Sequence, residues 1–185
     1  MTRSFALAPM SRGIRLLTGA LLAIPVVFLA LAWLVPALSV FAALAAAIVA
    51  LYAAIWLWWR PSSFDVDAFG FEIRFPAGRR SVLNPTVAAV RLLTAPELYA
   101  EVGLALRVGV GGLWGGFGWL WTQRRGFVEF YVSRLDGLVW IERREGRPLL
   151  VTPSDPAGFA GAIEESVRRA ETARSLVLPS PWARP

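Results

Sequence analysis

Residues 16–59 form an uninterrupted stretch of 44 residues without a charged side chain, bounded by Arg15 and Arg60. A charge at the centre of a bilayer costs about 2.5–3.5 kcal/mol on insertion scales, so such a stretch is typical of membrane segments. As one helix it would be about 66 Å long, twice the roughly 30 Å hydrocarbon core of a bilayer. The stretch therefore predicts two spans, residues 16–34 and 38–59, with a break at Pro36.

The arginines that flank the two spans predict their orientation. Arg3, Arg12 and Arg15 precede the first span, Arg60 follows the second, and the short connection has no basic residue. By the positive-inside rule, both termini are expected in the cytoplasm, with the chain integral to the inner (cytoplasmic) membrane. A cleaved signal peptide is the alternative, because Ala-Leu-Ala at 30–32 resembles a cleavage site, but two consecutive apolar segments favour the hairpin.

A stripe of small residues runs along the second span. It consists of Ala42, Ala46, Ala50 and Ala54, which recur every four residues. Small residues let helices approach closely in lipid. The stripe predicts a helix-packing face, and packing against the first span of the same hairpin is favoured over self-association or docking of a partner helix.

The chain lacks several residue types on which most catalytic sites depend. The chain has no Cys, no His and no Lys, so all 19 basic residues are Arg. Thiol, imidazole and amine chemistry are therefore absent, and so is zinc–thiolate binding. Asp65 with Asp67 and Glu142 with Glu145 are the candidate carboxylate pairs, but such pairs are typical of solvated strands and turns, where Arg74 could pair with the first. We therefore predict that the chain is not an enzyme and that it has no catalytic site, metal site or cofactor.

The net charge of +6 indicates which kind of partner the chain could bind. A positive protein is attracted to an anionic cytoplasmic leaflet. The arginines are scattered rather than clustered on one motif, which argues against nucleic acid. Membrane lipid is therefore the expected partner, together with a protein partner or a second copy of this chain.

The rest of the chain is divided by its patterns. Residues 1–15 are expected to be a basic cytoplasmic tail too short to fold. Residues 64–68 and 71–75 alternate with period two and predict a β-hairpin. Further strands are predicted at 79–82, 87–93, 104–110, 127–132, 138–142 and 148–152, with a helical turn at 96–101. Residues 133–137 are expected to form the turn that joins the strands on either side.

Residues 109–119 contain six glycines interleaved with aromatic residues. They do not match a phosphate-binding G-x-G-x-x-G motif, because Trp114 and Trp121 occupy the third-glycine positions and no lysine follows. Glycine also permits tight bends in β-structure. The segment is therefore interpreted as architectural.

A helix is predicted to follow the last strand. Asp155 can cap it, with Pro156 at the first helical position. Phe159, Ile163 and Val167 recur every four residues and predict one buried stripe. Residues 172–185 are rich in Pro, Ser and Arg and are expected to be a disordered tail.

The order of these elements resembles the bacterial pleckstrin-homology (PH)-like domains that follow membrane spans. The resemblance is carried by residues 111–119, 127–141 and above all 149–159 (LLVTPSDPAGF), and it covers residues 61–171. It implies two near-orthogonal antiparallel sheets of about seven strands, capped by a C-terminal helix. The PH-like family implies binding of lipid headgroups, peptides or proteins rather than catalysis.

The function predicted from these features is a non-enzymatic, membrane-anchored PH-like binding or scaffolding module on the cytoplasmic face of a bacterial membrane. Arg60, Arg79 and Arg80 are the candidate contacts for lipid headgroups, by charge and without headgroup specificity. The alternative is an accessory subunit of a membrane transport or enzyme complex, with no catalytic residues of its own.

Overall fold

Two long apolar helices precede a mainly β region in the structure, a computed structural model that describes residues 2–177. Helix α1 spans Arg12–Leu34, and α2 spans Val40–Ala54 and continues as a π-helical turn at Ile55–Trp59. A short 3₁₀ turn, Pro36–Leu38, connects them. The two predicted helical segments and the break between them are confirmed.

Both helices are long and apolar enough to cross a membrane. Their mean hydropathy reaches 2.3 in α1 and 2.4 in the segment Val40–Trp59, and only 11% of either window is buried inside the protein. The core helix of a soluble protein would be mostly buried, because apolar side chains are removed from water on folding. The apolar surface of this hairpin therefore faces outward.

The residues before α1 form a strand rather than an unfolded tail. Strand β1, Arg3–Ala6, pairs antiparallel with β2, Ser63–Val66. The ring of Phe5 packs edge-on against Phe159, with ring centroids 5.4 Å apart. The prediction that residues 1–15 are too short to fold was wrong, because strand pairing and this aromatic contact order the segment.

Strand β1 begins a four-stranded antiparallel sheet in the order β1-β2-β3-β4, with β3 at Gly70–Phe75 and β4 at Gly78–Leu83. The predicted hairpin is confirmed as β2–β3. Its turn is held by the Asp67 carboxylate, which accepts hydrogen bonds from the N–H groups of Phe69 and Gly70 at 2.8 and 3.0 Å. Local side-chain to backbone bonds of this kind stabilise turns.

The second sheet has six strands in the order β5-β9-β10-β8-β7-β6. Its strands are β5 Val87–Leu93, β6 Ala105–Gly111, β7 Gly116–Thr122, β8 Gly126–Val132, β9 Leu138–Arg143 and β10 Leu149–Val151. Within residues 61–171 the structure has nine strands where about seven were expected, and β1 adds a tenth among the described residues. The short β10 lies between β8 and β9, antiparallel to β9 and parallel to β8.

This arrangement corrects two predictions about the second sheet. The sheet is mixed rather than antiparallel, and residues 133–137 connect strands that do not pair directly. The physical reason is that β10, which is fully buried, pairs along both of its edges. Pairing between segments this distant in sequence leaves no local signal in the linker.

The centre of the six-stranded sheet is buried on both faces, whereas its outer strands β6 and β7 are partly exposed. One face packs against the first sheet and against the C-terminal helix α4, Pro156–Val177. The hydrophobic core between these elements is centred on Phe64, Phe71, Phe117, Ile141 and Phe159. The other face packs against α3, Ala95–Val102, which replaces the predicted helical turn and begins with a capping box. The six-stranded sheet therefore separates two cores, one shared with the first sheet and α4 and the other with α3.

Helix α4 begins and packs as its sequence predicts. Asp155 Oδ1 accepts a hydrogen bond from the N–H of Gly158 at 2.9 Å, and Phe159 and Ile163 are fully buried. The helix continues to Val177, so the prediction of disorder was wrong for residues 172–177. The other part of that predicted tail, residues 178–185, lies outside the described residues.

Phe159→Ala is expected to destabilise the β-region strongly. Phe159 contacts the rings of Phe5, Phe64 and Phe71, and removal of a buried Phe side chain costs about 3–5 kcal/mol. Thermal unfolding of the full chain in detergent, followed by near-UV circular dichroism, should show a much lower midpoint. The matched control is Phe69→Ala, because Phe69 is exposed in the β2–β3 turn. Equal midpoints for the two variants would contradict a central role for α4.

Candidate membrane interface

The turn between β6 and β7 lies against the first turns of α1. The Thr18 hydroxyl donates a hydrogen bond to the carbonyl oxygen of Gly112 at 2.9 Å and accepts one from the backbone N–H of Trp114, also at 2.9 Å. Thr18 is itself buried. One hydroxyl thus satisfies two backbone groups that would otherwise be unpaired beside an apolar helix.

Trp114 in this turn has a strained backbone. Its φ is 59°, and it is the one non-glycine residue with positive φ in the part of the chain that the structure describes. Such a conformation costs a bulky residue about 1–3 kcal/mol. The hydrogen bond to Thr18 and an edge-on contact with the Trp56 ring, 4.8 Å between centroids, hold it in place.

Gly112 allows the turn to approach α1 closely. Its φ is 97°, and a Cβ added there would lie 2.7 Å from Leu17 Cδ2. The positive φ favours glycine, and a larger residue would also displace the Leu17 side chain. The glycine-rich segment therefore forms a hairpin turn fitted to α1, in agreement with its architectural interpretation.

These contacts fix the height of the turn along the apolar helices. Thr18 follows Arg15 by three residues, about 4.5 Å of helix, and Trp56 precedes Arg60 by four, about 6 Å. The arginines mark the two ends of the charge-free stretch. The β6–β7 turn therefore lies just inside the level at which both apolar segments end.

The three arginines predicted to contact headgroups lie in different environments. The Arg60 guanidinium lies over the Trp56 ring, 4.1 Å from its centroid. Arg80 binds buried Glu129 in a bidentate ion pair, with N–O distances of 2.6 and 2.8 Å. Arg79 is exposed on β4. Arg80 is thus engaged within the protein, whereas Arg79 faces solvent.

The Arg80–Glu129 pair links the two sheets at the margin of their shared core. Burial lowers the pKa of Arg80, but the hydrogen bond and charge of Glu129 outweigh burial and leave that pKa raised. Burial also raises the pKa of the neighbouring Tyr131. At neutral pH the arginine is therefore charged and the phenol neutral, which suits a structural cross-link.

Most of the alanine stripe of α2 is exposed. Its members Ala42, Ala46 and Ala50 are exposed, and Ala54 is half-buried. The helices instead pack through the rings of Phe28 and Phe41, through buried Ala45, and through the Tyr52 hydroxyl, which donates to the Leu21 carbonyl at 2.8 Å. The favoured prediction of packing within the hairpin was wrong, and a role of the stripe in self-association or partner docking stays a prediction.

Three of the four candidate carboxylates, Asp65, Asp67 and Glu142, are used structurally, and Glu145 is exposed. Asp65 is buried, pairs with Arg74 as the sequence suggested, and accepts a hydrogen bond from the Ser4 hydroxyl at 2.5 Å. Glu142 accepts one from the indole N–H of Trp140 at 2.8 Å. Across residues 2–177, no three His, Cys, Asp or Glu side chains are grouped as a metal site.

The roles of Thr18 and Trp114 at this contact were not predicted from the sequence. A signal for Thr18 was present, because it is one of the few hydroxyl-bearing residues in the charge-free stretch and a polar group at that position requires a partner. The identity of the partner, a backbone turn more than ninety residues away, has no signal in the sequence. The strain of Trp114 depends on the same distant contact.

No family model matches the chain, and no curated protein sequence or solved structure is significantly similar to it. Its function is therefore inferred from the contacts described above.

Thr18→Val is expected to loosen the β6–β7 turn from α1. The substitution keeps the shape of the side chain but leaves Gly112 O and the Trp114 N–H unpaired, at a cost of about 1–3 kcal/mol. Hydrogen exchange of the turn amides should be clearly faster than in the unsubstituted chain. The control is Thr172→Val, because the Thr172 hydroxyl is exposed and donates a hydrogen bond only within α4, to the Arg168 carbonyl. If protection of the turn is unchanged, the Thr18 contact does not hold it.

Arg80→Ala and Arg79→Ala are expected to differ in stability. Loss of Arg80 leaves the Glu129 carboxylate buried and unpaired, which should cost about 2–3 kcal/mol, less than for a fully buried pair because Arg80 is partly exposed. Loss of exposed Arg79 should change stability by no more than about 0.5 kcal/mol. Chemical denaturation of both variants measures the difference, and equal losses would refute the structural role of Arg80.

Proposed function

We propose that this chain is a non-enzymatic, membrane-anchored binding or scaffolding module, with its β-region on the cytoplasmic face of the membrane. The observation that carries the proposal is the insertion of the apolar hairpin between β1 and β2, two neighbouring strands of one sheet. Both ends of the hairpin must then emerge on the same side of a bilayer. The arginines at both ends favour the cytoplasmic side.

Membrane attachment in this proposal is rigid rather than flexible. The β6–β7 turn is bonded to Thr18 and packed on Trp56, and the N–H of Ala77 in the β3–β4 turn donates to the carbonyl of Leu57 at 3.0 Å. Two turns of the β-region thus contact the ends of both helices. A module held in this way presents one constant set of surfaces to the membrane and to the cytoplasm.

A PH-like identity for the β-region is part of the same proposal. It is supported by two sheets that share a core with a C-terminal helix, and by the capped entry into that helix at Asp155. The mixed six-stranded sheet departs from the strand pattern that the resemblance implies. A near-orthogonal crossing of the sheets stays a prediction.

A binding role is favoured over catalysis by the use of the ionisable side chains. The buried carboxylates, Asp65 and Glu129, are neutralised by arginines. Glu97 forms the capping box of α3 with Thr94, and the hydrogen bonds that it accepts from Thr94 lower its pKa. Groups engaged in this way stabilise the fold and leave surfaces, rather than reactive side chains, for function.

Cysteine labelling of the full chain tests the anchor and its orientation. Because the chain has no cysteine, Ala37→Cys in the helix connection and Glu164→Cys on α4 provide single exposed thiols. In intact cells, a membrane-impermeant maleimide should label position 37, and it should label position 164 only after the membrane is permeabilised. Labelling of position 164 but not of position 37 in intact cells would show the reverse orientation. Labelling of both positions in intact cells would contradict the two membrane spans.

The binding role is tested by co-purification from the native membrane in mild detergent. The full chain should retain a protein partner that the hairpin alone, residues 1–60, does not. Retention of the same proteins by both would assign the interaction to the helices and would favour the accessory-subunit alternative.

A further inference from the structure

A cluster of exposed apolar residues lies on β6, β7 and the start of β8. Directly paired residues in a sheet point to the same face, and here Leu106 pairs with Trp121, Val108 with Trp119, and Trp121 with Phe127. These five residues, called the aromatic face below, are each 42–65% exposed. An exposed apolar surface of this kind marks an interaction site.

The aromatic face continues the surface that forms the core between the sheets. On the same face of the six-stranded sheet, Phe117 and Tyr131 are buried in that core. The first sheet reaches as far as β8, where Arg80 of β4 binds Glu129. Beyond this ion pair, and apart from buried Phe117, the apolar side chains that β7 and β6 present on this face stay exposed within residues 2–177.

The aromatic face is continuous with the end of α2. Trp119 lines a cleft of about 200 Å³ together with Trp58 and Trp59, the last two residues of the charge-free stretch. The turn that joins β6 and β7 lies lower, against Thr18. The strands therefore rise from the level of the membrane boundary, with Val108 and Trp119 nearer to it than Leu106 and Trp121.

The chemistry at the margin of the face suits a phospholipid. The guanidinium of Arg147 lies 5.9 Å from the Trp119 ring and 5.2 Å from the Phe127 ring. Arginine pairs with phosphate, and tryptophan places an apolar ring and a polar N–H at the boundary between acyl chains and headgroups. Exposed Trp58 and Trp59 supply the same chemistry at the end of α2.

We propose that the aromatic face lies in the headgroup region of the bilayer that the hairpin spans, so that phospholipid covers β6 and β7. The proposal rests on the membrane anchor of the preceding section. Lipid contact is then made by aromatic residues of the six-stranded sheet with Arg147 beside them. The β-region lies with this face against the bilayer.

Spin labels at single cysteines test the proposal in the full chain, reconstituted into vesicles of phosphatidylcholine and phosphatidylglycerol. Val108→Cys and the more exposed Leu106→Cys report on the aromatic face, Val26→Cys on the lipid side of α1, and Glu164→Cys on the solvent side of α4. Power saturation measures collisions of each label with oxygen, which partitions into lipid, and with a nickel chelate, which stays in water.

The expected result is a gradient of accessibility. The label at position 108 should collide with the nickel chelate several-fold less than the label at 164, and with oxygen more. The label at 106 should lie between them, and that at 26 should favour oxygen most. Because two positions report on the face, a perturbation at one leaves the other as the test.

Each contrary result overturns the proposal and identifies its cause. If the labels at 106 and 108 collide with the chelate as often as that at 164, the face is in water, while a deep label at 26 keeps the anchor intact. If both reagents are excluded from 106 and 108, protein covers the face, and spin–spin coupling between chains would identify a second copy. A water-exposed label at 26 overturns the anchor together with this proposal.

Discussion

The pairing of β1 with β2 is the constraint on which the rest of the structure depends. The whole hairpin is a connection between these two neighbouring antiparallel strands. The two ends of this connection, Ala6 and Ser63, are therefore held together as paired residues, since paired strands lie about 4.8 Å from each other. Any membrane that the helices cross must be entered and left on one side, whatever the charge of the flanking residues. Strand pairing and charge distribution thus give independent support to the same topology.

The Thr18 contact adds orientation to this attachment. A sheet joined to a hairpin only through two strand ends could tilt relative to the helices. The double hydrogen bond of Thr18 with the β6–β7 turn adds a third point, away from those strand ends. The strained φ of Trp114 is consistent with this role, because strain persists where surrounding contacts over-determine a conformation. The three points together define a plane, and so fix which surface of the β-region faces the helices.

The sequence predicts those parts of the structure that depend on local patterns. The β2–β3 hairpin follows from period-two alternation, and the start of α4 follows from Asp155 and the proline after it. The strand β10 was located, but its place between β8 and β9 was not, because pairing order depends on contacts between distant segments. Strand β1 was missed for the same reason: four residues acquire strand structure only through a partner sixty residues away.

For the candidate site, too, the sequence shows which residues are present but not which contacts they make. Charge is visible in a sequence, so Arg79 and Arg80 were predicted to contact headgroups, yet the Arg80 charge is used against Glu129. The alanine stripe is likewise visible, but its periodicity does not say which side of α2 packs against α1. That choice is made by Phe41, which packs on the Phe28 ring, and by Tyr52, which donates to the Leu21 carbonyl.

In the proposed orientation, membrane contact by the β-region depends on apolar surface more than on charge. Each basic residue near an anionic surface contributes about 1 kcal/mol, and screening reduces this within roughly 8 Å at physiological salt. Burial of an aromatic side chain contributes about 1.5–3 kcal/mol and is not screened by salt. With Arg80 engaged in an ion pair, the exposed Arg79 provides less attraction than Trp119 together with Trp121. An orientation set in this way would persist at high ionic strength, where one set by arginine would be lost.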